Sequence, residues 1–255
     1  MNISGILSIN KSGMNGLQNN MDNIANNIAN SDTVGYKNRD TTFQELVNNQ
    51  TTTQEANLIS GTNLGLNTGV AVNGESVNFT QGSLQQTGSA TDFAIQGQGF
   101  FGVYGQNGEL LLTRDGSFKR DSTGQLVNAS GNKVAVDATV PETNWPKGDL
   151  SVASDGSISI VNNGNSTSVG KLRMYLPQNN EDLVSVGNNN YTVTNGNQLQ
   201  VMTNASVKQG YLETSTVDLA SSMTDMIATQ RAYQMNAKAL QSTDDMFEVI
   251  NRLAD

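Results

Sequence analysis

Along the first 30 residues, Ile3, Leu7, Asn10, Met14, Leu17, Met21, Ile24 and Ile28 recur at spacings that alternate four and three. This is the a/d stripe of a heptad, apolar except at Asn10, and it predicts a helix with one narrow apolar seam. Outside the stripe a solvated helix would carry Glu and Lys pairs, but here the only charged side chains are Lys11 and Asp22. The rest is largely Asn, Ser, Gly and Gln, short uncharged groups, and Asn, the commonest of them, is a poor helix former. Such a surface suits close packing against further neighbours. A helix of this kind is expected to order where several contacts bury it, so that folding is coupled to assembly.

The other end of the chain offers a partner. Leu219, Met223, Met226, Tyr233, Ala237, Leu240 and Phe247 keep the same period, and Ile227, Ile250 and Leu253 widen the stripe. Ser215 followed by Asp218 resembles a capping box, which predicts a helix from near residue 216. No Gly or Pro follows, consistent with about ten unbroken turns. Gln230 and Arg231 fall within the stripe. Arg231 is expected to meet a carboxylate or carbonyl of a neighbouring helix, because the residues around it are uncharged.

Between about residues 70 and 210 the pattern changes to short apolar runs separated by turns. FFGVYGQNGELLLTR places Asn107-Gly108 between two such runs, and similar turns occur at DSTG (121–124), ASGN (129–132), SDGS (154–157) and NNGN (162–165). Short strands with these turns predict an antiparallel meander or barrel. Residues 31–69, rich in Thr, Asn, Gln and Gly, show no clear period and read as an extended connector. The expected fold is therefore α+β. Helices at 1–30 and 216–255 pair as a coiled coil, 31–69 connects, and 70–215 forms an all-β domain.

Composition narrows the function. The chain has no Cys and no His, which removes Ser-His and Cys-His nucleophile pairs, imidazole bases and the commonest metal ligands. A net charge of −9 without a Lys/Arg cluster argues against nucleic acid. No stretch reaches the roughly 20 apolar residues that would insert into a membrane. The start, MNISGILSINKSGMNG, lacks a basic leader followed by a compact apolar run, so no cleaved signal peptide is expected.

The motifs that could suggest catalysis are weak. GQGFFG (97–102) fits G-x-G-x-x-G, but a dinucleotide site needs a helix next, whereas VYG and a hairpin follow. Its glycines read as turn and bulge positions. Asp92, Glu109, Asp115 and Asp121 could supply an acid/base pair, yet nothing sets two of them apart from surface charge. No calcium loop is present, and no metal or cofactor is expected. A carbohydrate-binding β protein with helical oligomerisation ends is a rival reading, with Trp145 as its sole Trp.

ANNIANSDTVGYK (25–37) and QRAYQMNAKALQSTDDM (230–246), one at each end, resemble the paired terminal signatures of bacterial flagellar axial proteins, the rod and hook family. Ala25, Asn26, Asn27, Ala29, Asn30, Gly35, Tyr36 and Lys37 carry the first signature. GVAVNGESVNFTQGSLQQTGSATDFAIQGQGFFGV (69–103), LTRDGSFKRDSTGQLVNASGNKV (112–134) and KQGYLETSTVDL (208–219) follow the family in order. NLISGTNLGLNTGV (57–70) resembles the extra segment of its distal rod members. The resemblance implies a structural polymer subunit without catalysis, passed through the flagellar export apparatus and located in the basal body and cell envelope. Its implied partners are copies of itself in a helical tube, proximal rod and hook-type axial proteins, and envelope rings.

Overall fold

The computed structural model describes residues 3–48, 66–194, 199–202 and 206–254. Segment 49–65 lies outside the described residues, and so do the side chains of Ile3, Phe247, Ile250 and Leu253. The chain divides into two units, one of residues 1–29, 39–77 and 218–255, the other of 30–38 and 78–217.

The first unit contains both long helices, α1 (Ile3–Ala29) and α2 (Leu219–Ala254). Helix α2 begins three residues later than the capping-box reading implies. Asp218 is itself the cap, accepting from Ala220 N at 2.9 Å and Ser221 N at 3.1 Å. An aspartate oxygen there satisfies two of the amides a helix start leaves open and suits the positive end of its dipole. Ser215 Oγ instead accepts from Val217 N at 3.3 Å.

Strands β1 (Arg39–Asn48) and β2 (Leu66–Val77) complete this unit as an antiparallel ribbon. Part of the expected connector is therefore regular structure. The register shifts twice, and each time the extra residue, Thr68 and Asn73, lies on β2, so the alternation of β2 is broken. Strand β1 carries no extra residue, but its residues 42–46 are exposed on both faces, so no apolar-polar alternation is written there.

The second unit is antiparallel β throughout. Strands β3 (Leu84–Gln86), β4 (Phe93–Gln96), β5 (Phe100–Tyr104) and β6 (Leu110–Thr113) open it, and β5 and β6 form the Asn-Gly hairpin. GQGFFG thus leads into a strand, with Gly97 and Gly99 at positive φ. A larger sheet contains β5 and β6, and a four-stranded sheet runs Val136–Ala138, Asn165–Leu172, Ser157–Asn162, Asp149–Val152. The late strands Ser206–Gln209 and Tyr211–Glu213 return to pair with β4 and β3.

The core of this unit includes Phe93, Ile95, Phe101, Phe118, Ile158 and Met174, with Phe101 and Phe118 packed edge to face at 5.4 Å. Three of the turns follow one local rule, an Asx side chain accepting from the amide two residues on. Asp121 accepts from Thr123 N, Asn128 from Ser130 N and Asp155 from Ser157 N. Trp145 is buried and donates Nε1 to Val140 O at 3.0 Å, so it is no open platform for a sugar.

Candidate assembly surface

Two contacts set the register of α1 against α2. Asn20 donates Nδ2 to Thr229 Oγ1 at 3.2 Å, and Gly13 lies against Asn236, whose Nδ2 would stand 3.3 Å from an added Cβ. Seven residues forward in α1 correspond to seven back in α2. The helices are an antiparallel pair in heptad register.

On α1, Ile24 is buried, and Leu7, Asn10, Met14, Leu17, Met21 and Ile28 are half-buried. On α2 the least exposed line runs Ser222, Met226, Thr229, Tyr233, Asn236, Leu240, Thr243, with half-buried Ala237 beside it. Met226, Tyr233 and Leu240 belong to the stripe read from the sequence. The residues between them are polar, because the amides and small residues of α1 call for small hydrogen-bonding neighbours rather than apolar bulk.

Three further stripe residues among those described face outward within the single chain. Leu219 is 42% exposed, Met223 50% and Ile227 53%, and Gln230 and Arg231 are exposed. Among the described residues Arg231 has no ion pair. Met235 is exposed as well, at 65%. Single exposed apolar residues are ordinary, but a row along one helix marks an interaction surface.

The asparagines of α1 connect it to the ribbon. Asn23 donates Nδ2 to Thr41 Oγ1 at 2.7 Å. Asn27 holds Arg39 twice, donating Nδ2 to its carbonyl at 2.8 Å and accepting from its amide at 3.1 Å. Ser12 Oγ accepts from Val70 N at 3.3 Å, and Gly16 leaves space for the Phe43 ring. Of the remaining signature positions on α1, Ala25, Asn26 and Ala29 are exposed.

The signature continues into the β unit. Asn30 accepts from Thr33 N at 3.1 Å. Gly35 has φ 67, and an added Cβ would lie 2.6 Å from the backbone of Arg114 and Asp115. Tyr36 is buried, and Lys37 is fully so. Lys37 donates Nζ to Glu213 Oε1 at 2.5 Å and to Thr80 O at 2.6 Å. Arg114 donates Nη1 to Glu213 Oε2 at 3.1 Å and Nη2 to Gly97 O at 2.9 Å, and its guanidinium lies 5.2 Å above the Phe100 ring.

Burial pushes the Lys37 ammonium and the Arg114 guanidinium below their ordinary ranges, while Glu213 pulls both back up. The three motif segments VGYK, LTRDGSF and GYLETS therefore meet at one buried ion cluster. Sequence reading names Lys37 but misses Arg114 and Glu213. The signal for them is that each is a charged residue inside a stretch matching the family.

Helices from the two chain ends pair beside a β ribbon, the exposed apolar row lies on a terminal helix, and the motif residues are spent on packing. These features define a structural class of protein with an apolar face open on a terminal helix. Comparison with known proteins identifies the family. Residues 7–37 match "Flagella basal body rod protein", 94–160 match "Flagellar hook protein FlgE/F/G D1 domain" and 208–253 match "Flagellar basal body rod FlgEFG protein C-terminal". The flagellar basal-body rod protein FlgG of Buchnera aphidicola subsp. Acyrthosiphon pisum is 37% identical, covering 97% of this chain and 98% of its own. FlgG of Borreliella burgdorferi is 33% identical over 95% of this chain and 96% of its own. FlgF of Caulobacter vibrioides is 34% identical over 90% and 89%. The chain belongs to the flagellar basal-body rod protein family. It is a structural subunit of the flagellar basal body and not an enzyme.

Proposed function

We propose that this chain is a distal rod subunit, polymerising through its terminal helices into a hollow helical tube that transmits torque and encloses the export channel. The observation that carries the reading is the row Leu219, Met223 and Ile227, about half exposed although it lies on an apolar helix stripe. A face left open by the private seam is available to a neighbouring copy. Repeated contacts of unlike faces whose rotation does not close generate an open helical polymer.

In this reading Met226, Tyr233 and Leu240 hold the chain to itself, whereas Leu219, Met223 and Ile227 hold it to the next copy. Proximal rod and hook-type proteins contact the two ends of the tube, envelope rings surround it, and the export apparatus delivers the chain. Among the described residues no helix is long and apolar enough to cross a membrane.

The test is electron microscopy and sedimentation of Met223→Asp/Ile227→Asp. Both side chains are exposed, so the monomer is expected to keep its helicity while tubes fail to form. Normal tubes from the double variant would reject this surface. A proximal-rod or hook-type role is the second reading, favoured by the FlgF relative. A straight, rigid polymer supports the distal rod, and a curving one supports the hook type.

A further inference from the structure

Among the described residues, Lys37 and Arg114 are the cations buried in the β unit, and Glu213 is its buried carboxylate. One anion serves both. It reaches them across the chain, 176 residues from Lys37 and 99 from Arg114. The flanking backbone is cross-paired too. Gly35 N donates to Glu213 O at 2.8 Å, Thr216 N to Tyr36 O at 3.1 Å and Asn38 N to Thr216 Oγ1 at 2.8 Å. Gly82 N donates to Glu213 Oε1 at 2.8 Å.

Removing one member of a buried ion pair costs far more than the pair contributes, because the remaining charge is left without its counterion. With 206–217 undocked, Lys37 and Arg114 would lose their shared counterion and keep the carbonyls of Thr80 and Gly97 and the Phe100 ring. With 30–38 undocked, Glu213 would keep Arg114 and Gly82 but lose Lys37, its backbone carbonyl would lose the Gly35 amide, and Thr216 N would lose Tyr36 O. Neither half-docked state satisfies all the buried polar groups that remain. The sheet reinforces this, since buried β4 takes its strand partner from Ser206–Gln209 and β3 takes its own from Tyr211–Glu213.

We propose that Lys37, Arg114 and Glu213 form a latch that makes residues 30–38 and 206–217 dock as one, so that the β unit closes only when both ends of its chain are in place. The latch also pairs, at Tyr36 and Thr216, the two segments by which the chain leaves the unit toward α1 and α2. This holds whether or not the polymer has the form given above.

Native-state hydrogen exchange on the full-length monomer tests it. In the wild type, the amide of Asn78, bonded to Asn38 O, reports the docking of 30–38, and that of Thr214, bonded to Ser83 O, reports the docking of 206–217, and the two are expected to open with one common free energy. In Glu213→Gln they should lose protection together, about a hundred-fold or more, while Ser157–Asn162 stays within about threefold. Wild-type amides that open at different free energies would overturn the latch, as would Asn78 keeping its protection in Glu213→Gln while Thr214 loses it. A second variant, Lys37→Met/Arg114→Met/Glu213→Leu, guards against general unfolding by replacing the cluster with apolar side chains. It is expected to retain native Trp145 fluorescence while Asn78 and Thr214 open separately, and a triple variant in which they still open together would sink the proposal.

Discussion

Asn27 uses both ends of its amide on the backbone of Arg39. In Asn27→Ala the amide and carbonyl of half-buried Arg39 lose the Asn27 side chain, a change expected to cost about 1–3 kcal/mol. Urea unfolding followed by helical circular dichroism measures it. Gly35→Ala acts differently, because its φ of 67 disfavours any side chain and the Arg114 backbone leaves no room for one. A loss of about 2–4 kcal/mol from the β unit is expected, read by Trp145 fluorescence. Glu142, one turn before Trp145, gives the same probe a pH dependence. Burial lifts its carboxyl above the usual range, against Lys133 and with help from Asp121. A raised folded value means that Glu142 favours the folded state fully below the unfolded pKa, and that this contribution is lost as pH rises through the folded one. Glu142→Gln should therefore raise the unfolding midpoint at pH 7 and leave it unchanged at pH 4.

Single elements divide into those that announce themselves and those that do not. Helix α1 was legible because its seam is apolar, and the hairpins were legible because Asn-Gly and Asx turns are local chemistry. Strand β1 was not, since its residues 42–46 are exposed on both faces and write no alternation. The seam of α2 was half legible. Hydrophobic reading finds Met226, Tyr233 and Leu240, but it passes over Thr229 and Asn236, whose value depends on which residues of α1 stand opposite. Thr229→Val is expected to destabilise the helix pair by about 1–2 kcal/mol, by leaving the Asn20 amide without its acceptor. Asn20→Leu/Thr229→Val should recover most of that loss, because both polar partners are then removed. Thermal melting of the four chains in this double-mutant cycle decides it.

At the scale of the whole molecule, family and architecture could be read from paired motifs at the two ends, but the ion cluster could not. Lys37 is named by its motif, but nothing in the sequence pairs it with Arg114 and Glu213, and only the return of Tyr211–Glu213 to β3 brings the three together. The same return matters for the order of folding. Asn20 and Thr229 are 209 residues apart along the chain, and closing so long a loop is entropically costly. Once Thr216 is bonded to Tyr36, the loop left to close is only about 30 residues, which lowers that cost by about 2 kcal/mol. The β unit, with its non-local strands, thus acts as a kinetic shortcut for the helices. Although their pattern is the most local in the chain, α1 and α2 should find each other late, after the sheet has drawn their roots together.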